Sequence, residues 1–253
     1  MKSYWRIICF IFPVVGFIFA CSKTVDPVSS DPYPSLDKQR ASLSKKPHVT
    51  PVRILDSVQI IADLEYLASD LCEGRKPGTA GHSLAKNRVS SQMRASQIDS
   101  FDNAFEQKFN GFAGGSEGTN IVGWIRGNKF PDKYIVITAH YDHLGKTADG
   151  KIYNGADDNA SGVACLLALA KFFKNNPHDN SLIFAALDRE ESGLEGANLL
   201  VTLLDVAPGR TKVAFNLNLD MIARSDSNEI FACGINYYPS LKYLMDELKT
   251  KRM

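Results

Sequence analysis

Apolar residues recur at helical spacing in four separate stretches of the chain. In the first stretch Val58, Ile61 and Leu64 fall three residues apart, which predicts a helix over residues 54–67. The same reasoning predicts helices over residues 83–96, 161–173 and 197–204.

Shorter apolar runs between these helices predict strands. They cover residues 120–125, 134–138, 182–187 and 213–219. The run at 182–187 is apolar at every position, which is typical of a strand covered on both of its faces. Strands that alternate with helices predict an α/β fold, with a central sheet sandwiched between helices.

The amino-terminal residues follow a different pattern. Lys2 and Arg6 precede an apolar run over residues 7–20, which is too short for a comfortable membrane span and is typical of an export signal. Ala20 followed by Cys21 resembles the cleavage site of bacterial lipoproteins. A plain secretory signal with an incidental cysteine is the alternative interpretation.

The lipoprotein interpretation divides the chain into three parts. We expect a signal peptide over residues 1–21, a tether rich in proline and serine over residues 22–50, and a folded domain over residues 51–253. Lipid on Cys21 would be the only contact with a membrane. The protein would then be exported and anchored to a bacterial membrane, facing the periplasm or the cell exterior.

Composition narrows the range of partners. The 253 residues carry a formal net charge of +1, and 44% of them are hydrophobic, as in an ordinary globular domain. Because nucleic-acid binding normally shows as a clustered basic excess, we expect no nucleic acid as a partner. The sequence does not indicate the oligomeric state.

Polar clusters follow three of the predicted strands, and a fourth occupies the turn before the third helix. The clusters are residues 140–143, 188–191, 218–220 and 154–162. Each alone has an ordinary explanation, such as a helix cap or a complement to a helix dipole. In open α/β sheets, however, ligands collect beyond the carboxyl ends of the strands, so the four clusters together indicate one site.

The residue types in these clusters suit a zinc site of imidazole and carboxylate groups. His140 and Asp142 are two residues apart, so in extended chain they face the same way and Asp142 can orient the imidazole. Glu190 and Glu191 are neighbours and must diverge. One can therefore bind metal while the other serves as the base for an attacking water.

The clusters also carry a family resemblance. Ala-His-Tyr-Asp-His-Leu-Gly at 139–145, Asn-Gly-Ala-Asp-Asp-Asn-Ala-Ser-Gly at 154–162, Glu-Glu-Ser-Gly-Leu-Glu-Gly at 190–196 and Asn-Leu-Asp-Met at 218–221 resemble the motif series of the clan MH zinc aminopeptidases. That group includes relatives of glutamate carboxypeptidase and glutaminyl cyclase. Glu-Gly-Arg-Lys-Pro-Gly-Thr at 73–79 is similar to the beginning of the family's domain.

The resemblance implies a mixed sheet between two helical layers, two zinc ions and a peptide substrate. It implies that Asp157 bridges the two ions, with a cis peptide bond before Asp158. His140 and Asp220 would complete the first zinc site, and Glu191 would bind the second zinc. Glu190 would be the general base, and Asp142 would orient His140.

One expected ligand has no counterpart in the sequence. The family's second zinc takes a histidine from downstream of the Asp220 motif, and none of the five histidines follows Asp220. We expect His143 to point away from the site, His178 to lie at the wrong edge of the sheet, and His82 to be a surface residue. On this reasoning the carboxyl-terminal part of the domain is missing.

Three functions remain open on the sequence. The first is an aminopeptidase that hydrolyses peptides at their amino ends with zinc-activated water. The second is a glutaminyl-peptide cyclase on the same scaffold, which uses one zinc. The third is an inactive remnant or binding module, because the last histidine ligand is absent.

Overall fold

A computed structural model describes residues 55–112, 115–206, 212–227, 229–238, 241–243 and 245–246. The expected signal peptide, lipidated Cys21 and tether all lie outside the described residues. Among the described residues, no helix combines the length and the apolarity that crossing a bilayer requires.

The long helices begin and end within three residues of the predicted bounds. They are α1 (Ser57–Leu67), α2 (Ala80–Ala95), α3 (Gly162–Lys174) and α4 (Glu195–Val206). Side chains cap the first two, because Asp56 accepts from the backbone N–H of Gln59 and Thr79 accepts from that of His82. A short 3-10 helix, Asp70–Arg75, connects α1 to α2.

The strands form a mixed sheet, as the family resemblance implied. They are β1 (Asp99–Ser100), β2 (Glu106–Phe109), β3 (Gly118–Ile125), β4 (Phe130–His140), β5 (Asn180–Leu187) and β6 (Lys212–Asn218). The order is β1-β3-β5-β4-β6, and β2 also pairs with β3. Strands β4, β5 and β6 are parallel, whereas β3 is antiparallel to β5. The short strands β1 and β2 were not predicted.

Strand β5 is buried on both faces, which explains its unbroken apolar sequence. Leu182, Phe184 and Ala186 belong to a core that includes residues of α2 and α3. The alternate residues, such as Ile183 and Ala185, belong to a second core with residues of α4. The sheet therefore lies between helices, and the predicted fold class is confirmed.

The three parallel strands end together. Their last residues are His140, Leu187 and Asn218, and hydrogen-bonded pairing sets His140 beside Leu187 and Thr138 beside Asn218. The polar clusters that follow them therefore emerge at one edge of the sheet.

Replacing Phe184, which is fully buried between the two helical layers, tests this core. Phe184→Ala should lower the free energy of unfolding by about 3–5 kcal/mol, because it removes apolar contact and leaves a cavity. Val58→Ala is the control, since Val58 is 79% exposed and its change should stay within about 0.5 kcal/mol. Urea unfolding measures both, and similar values for the two variants would contradict this description of the core.

Candidate metal centre

His140 lies at the end of β4 with both ring nitrogens close to acidic groups. Its side chain is 4% exposed, and Nε2 lies 3.2 Å from Asp158 Oδ1 and 3.5 Å from Asp220 Oδ1. Nδ1 faces Asp142, at 3.2 Å from its backbone oxygen and 3.5 Å from Oδ1. One edge of the ring therefore faces two carboxylates, and the other edge is held by Asp142.

A second group of side chains lies beside the first. His143 Nδ1 is 2.9 Å from Glu191 Oε1 and 3.8 Å from Asp158 Oδ2. Asp158 therefore directs one oxygen toward His140 and the other toward His143. His140, Asp158 and Asp220 form one set of candidate metal ligands in the described part of the chain, and His143, Asp158 and Glu191 form another.

Asp158, rather than Asp157, occupies the shared position, which corrects the assignment made from the sequence. Asp157 Oδ1 instead accepts hydrogen bonds from the backbone N–H groups of Ala223 (2.9 Å) and Arg224 (3.2 Å). The two aspartates are adjacent in an irregular turn, where no periodicity decides which side chain faces the site. The cis peptide bond follows Asp158 rather than preceding it.

The expectation for His143 was also wrong. It assumed that the chain stays extended beyond His140, but β4 ends at that residue. The backbone N–H of His143 donates to Arg75 O at 3.0 Å instead of pairing with a neighbouring strand. The alternation of side chains along a strand therefore does not apply to His143.

His82, expected at the surface, is 6% exposed. Its Nε2 lies 2.9 Å from Asp188 Oδ1, and its ring stacks on Tyr141 with centroids 5.2 Å apart. The Tyr141 hydroxyl donates to Asp188 Oδ2 at 3.1 Å. His82 therefore supports the segments that leave β4 and β5, outside both ligand groups. His178 precedes β5, as expected, whereas the site follows the end of that strand.

The turn that carries Asp158 is fastened to the segment that carries Asp220. Asn159, which is fully buried, donates through its side-chain amide to Leu219 O at 2.9 Å and accepts from Gly162 N at 3.0 Å. Ser161 Oγ accepts from the backbone N–H of Ile222 at 3.2 Å. These bonds set the Asp158 and Asp220 carboxylates on the same side of His140.

Asp142 connects the first group to the segment after β5. Its side chain is fully buried, and its two oxygens accept from the backbone N–H groups of Glu190 (3.0 Å) and Glu191 (3.2 Å). Because Asp142 also faces His140 Nδ1, one carboxylate positions the imidazole and both glutamates. This arrangement fits the predicted orienting role.

The concentration of carboxylates shifts two proton equilibria. Burial raises the pKa of Glu190, and the nearby charges of Asp142, Glu191 and Asp220 raise it further, against the opposing effect of His140. Burial alone would lower the pKa of His140, but contacts with Asp142, Asp158 and Asp220 bring it well above its ordinary value. The site thus favours positive charge at its centre.

The guanidinium group of Arg75 binds the loops that form the site. The side chain is fully buried, and its five N–H donors face five backbone carbonyl groups at 2.7–3.1 Å. The acceptors are Leu67, Tyr141, Asn154, Gly155 and Asp158. Arg75 therefore ties the end of α1 to the segments that carry Asp158 and His143.

Close packing around Gly155 strengthens this connection. Gly155 has φ of +59°, and a Cβ atom there would collide with the ring of His143, the guanidinium of Arg75 and the carbonyl of Asp158. Glycine therefore satisfies both the backbone conformation and the space available.

The residues present fit zinc. Tetrahedral zinc with ligand bonds of about 2.0–2.2 Å separates its ligand atoms by roughly 3.3–3.6 Å. The corresponding distances from His140 Nε2 are 3.2 and 3.5 Å. Asp220 Oδ1 is buried and has no hydrogen-bond partner within the described ranges, which is costly for a carboxylate oxygen unless a cation compensates it.

Part of the chain is similar in sequence to known zinc peptidases. The sequence profile of Peptidase family M28 matches residues 120–252. A probable zinc metalloprotease of Pyrenophora tritici-repentis is 34% identical over 116 residues, which are 44% of this chain and 26% of that protein. Aminopeptidase YwaD of Bacillus subtilis is 37% identical over 109 residues, which are 42% and 22% of the two chains. The matched residues thus span about a quarter of the length of these curated relatives.

Solved structures share the fold. A leucine aminopeptidase precursor from Bacteroides thetaiotaomicron aligns with a TM-score of 0.62 and 18% identity, over 77% of this chain and 72% of that one. Glutaminyl cyclase of Porphyromonas gingivalis aligns with a TM-score of 0.60 and 19% identity, over 75% and 68%. At these identities the likeness concerns the fold alone.

Arg75→Lys should weaken zinc binding by about 10–100-fold, the range typical for residues that orient metal ligands. Lysine keeps the charge but has three donors at one point, so it cannot reach five carbonyl groups. Competition with a chromogenic chelator measures the affinity.

Arg88→Lys is the matched control, because Arg88 pairs with the buried Asp63 away from the site. It should leave zinc affinity unchanged. Equal zinc affinities for the Arg75 and Arg88 variants would contradict the positioning role of Arg75.

Proposed function

Because the chain belongs to Peptidase family M28, we propose that it is a zinc-dependent aminopeptidase that hydrolyses peptides at their amino ends. The observation that carries this proposal is that the two oxygens of Asp158 face two different ligand groups, with Glu190 beside them. The likeness to Aminopeptidase YwaD supports the choice of an aminopeptidase. The expected signal sequence supports peptides outside the cytoplasm as substrates.

In this proposal His140, Asp158 and Asp220 hold the first zinc ion. Asp158 and Glu191 hold the second. When bound, zinc supplies a Lewis acid that polarises the scissile carbonyl group and makes water a stronger acid. The protein contributes the fixed positions of these oxygen and nitrogen atoms, set by Arg75 and Asp142.

Glu190 is the general base. The Asp142 carboxylate accepts two backbone N–H groups, and Glu191 is in contact with His143. The Glu190 side chain forms no hydrogen bond or ion pair with the residues that the structure describes, and its raised pKa makes it a better proton acceptor than an ordinary glutamate. Its carboxylate takes the proton of the attacking water and delivers it to the nitrogen of the leaving amine.

Glu190→Gln tests the base directly. The amide cannot accept the proton, so hydrolysis of a leucyl chromogenic substrate should fall by about 10²–10⁴-fold. Bound zinc, measured by mass spectrometry after dialysis, should stay unchanged because Glu190 is outside both ligand groups. Unchanged turnover in this variant would sink the proposal.

Glutaminyl cyclisation is the second candidate, since the first ligand group alone could hold the single zinc that this reaction uses. Glu190 would then carry a proton from the attacking amine of the substrate to the side-chain amide nitrogen, which leaves as ammonia. The inactive remnant is the third candidate, and it predicts at most one zinc and no turnover of any substrate.

We expect a zinc-loaded chain to hydrolyse a leucyl peptide and to release no ammonia from an amino-terminal glutaminyl peptide. Coupled assays of amine and ammonia release, run on the same preparation, measure both activities. Ammonia release without hydrolysis would identify a cyclase. The absence of both would favour the remnant.

A further inference from the structure

We propose that Arg189 is a positioning residue, which holds Glu190 and Glu191 in place through its pair with Glu195. Arg189 directly precedes Glu190 in the chain and belongs to neither ligand group. The inference rests on the proposed function, because that function makes Glu190 the base. The position of the two glutamates can nevertheless be measured without any turnover.

The backbone of Arg189 has a conformation that a side chain disfavours. Its φ of +57° lies in the left-handed region, which residues other than glycine rarely adopt. Its backbone N–H donates to Asp188 Oδ1 at 2.8 Å. Because such a conformation persists only where the surrounding structure enforces it, the contacts of the Arg189 side chain explain how it is held.

Arg189 and Glu195 close the segment that carries both glutamates. The backbone N–H of Glu195 donates to Arg189 O at 3.2 Å. Arg189 Nε and Nη2 donate to the two carboxylate oxygens of Glu195 at 2.5 and 3.1 Å, and both side chains are buried. Two parallel hydrogen bonds fix the orientation of a guanidinium group relative to a carboxylate. The two ends of residues 189–195 are therefore joined through both backbone and side chains.

The turn between β2 and β3 holds the same guanidinium group from another direction. Arg189 Nη1 donates to Ser116 Oγ at 2.9 Å. A Cβ atom at Gly111 or Gly115 would lie 2.9 or 2.6 Å from Arg189 Nη2, so glycine leaves the space that the guanidinium group occupies. The Arg189 side chain is thus anchored to a part of the sheet outside the segment that it closes.

The two glutamates follow directly from this anchored residue. Their backbone N–H groups donate to the Asp142 carboxylate at 3.0 and 3.2 Å. These two bonds require residues 190 and 191 to begin from the backbone direction that Arg189 sets. A role in stability alone would account for the ion pair, but it gives no reason for a left-handed residue next to Glu190.

Two substitutions of Arg189 separate the side chain from the backbone conformation. Arg189→Ala removes the guanidinium group and keeps a Cβ atom that disfavours positive φ. In Arg189→Gly positive φ is freely allowed, so this variant should lie between Arg189→Ala and the parent. Glu195→Gln keeps the shape of Glu195 and weakens the same pair, so it gives the same test should Arg189→Ala not fold.

Amide hydrogen exchange, followed by NMR on the full chain, reports the position of the glutamates. In Arg189→Ala the N–H groups of Glu190 and Glu191 should exchange at least about 10-fold faster than in the parent, because their bonds to Asp142 open more often. The rates are expressed relative to that of the buried Ile183 in β5, which corrects for any change in global stability.

Arg88→Ala is the matched control for this measurement. It removes a guanidinium group that also pairs with a buried carboxylate, that of Asp63, away from the site. It should leave the exchange of Glu190 and Glu191 relative to Ile183 unchanged.

Kinetics of the zinc-saturated chain gives a second readout. In Arg189→Ala kcat for a leucyl chromogenic substrate should fall by about 10–100-fold, the range typical for residues that orient active-site groups. KM should change little, because the substrate contacts are kept and the placement of the base is lost. Arg88→Ala should leave both constants unchanged.

Parental exchange at Glu190 and Glu191 in Arg189→Ala, relative to Ile183, would overturn the proposal. An equal effect of Arg88→Ala, or a change in KM with kcat unaltered, would overturn it as well. Failure of the proposed function gives a different result. Hydrolysis would then be absent in the parent or unchanged in Glu190→Gln, while the exchange rates would still decide the role of Arg189.

Discussion

The geometry of the site depends on the buried guanidinium group of Arg75. Among the described residues no carboxylate forms an ion pair with it, and burial lowers the pKa of Arg75. Five carbonyl groups compensate this burial by accepting all of its N–H donors. The charges of Asp142, Asp158 and Glu191 add a longer-range attraction. Because the acceptors lie on three separate segments, displacement of one segment breaks hydrogen bonds shared with the others.

A dense group of acids surrounds the His140 ring. Asp142, Asp158 and Asp220 approach one imidazole, with Glu190 and Glu191 nearby. Like charges repel more strongly in a partly buried site than in bulk water, and a bound cation relieves this repulsion. The fold therefore keeps an arrangement of side chains that is costly without metal and suitable with it.

Much of the fold and of the candidate metal centre could be predicted from the sequence. The reasons also explain why the predictions for Asp157 and His143 were wrong. Strand β5 is apolar throughout, and parallel strands must end at one edge, so the positions of His140, Glu190 and Glu191 follow from simple rules. The choice between Asp157 and Asp158 depends on hydrogen bonds with residues more than 60 positions away. His143 leaves the strand geometry on which its prediction relied. Strands β1 and β2 are too short to show a pattern.

Asp142 connects the proposed metal ligands to the proposed base. The same buried carboxylate faces His140 Nδ1 and accepts the backbone N–H groups of both glutamates. A shift of the segment after β5 would therefore move the proposed base and a proposed second-site ligand together, and would alter the orientation of His140. The Asp142 carboxylate therefore sets the backbone positions of both glutamates relative to the His140 ring.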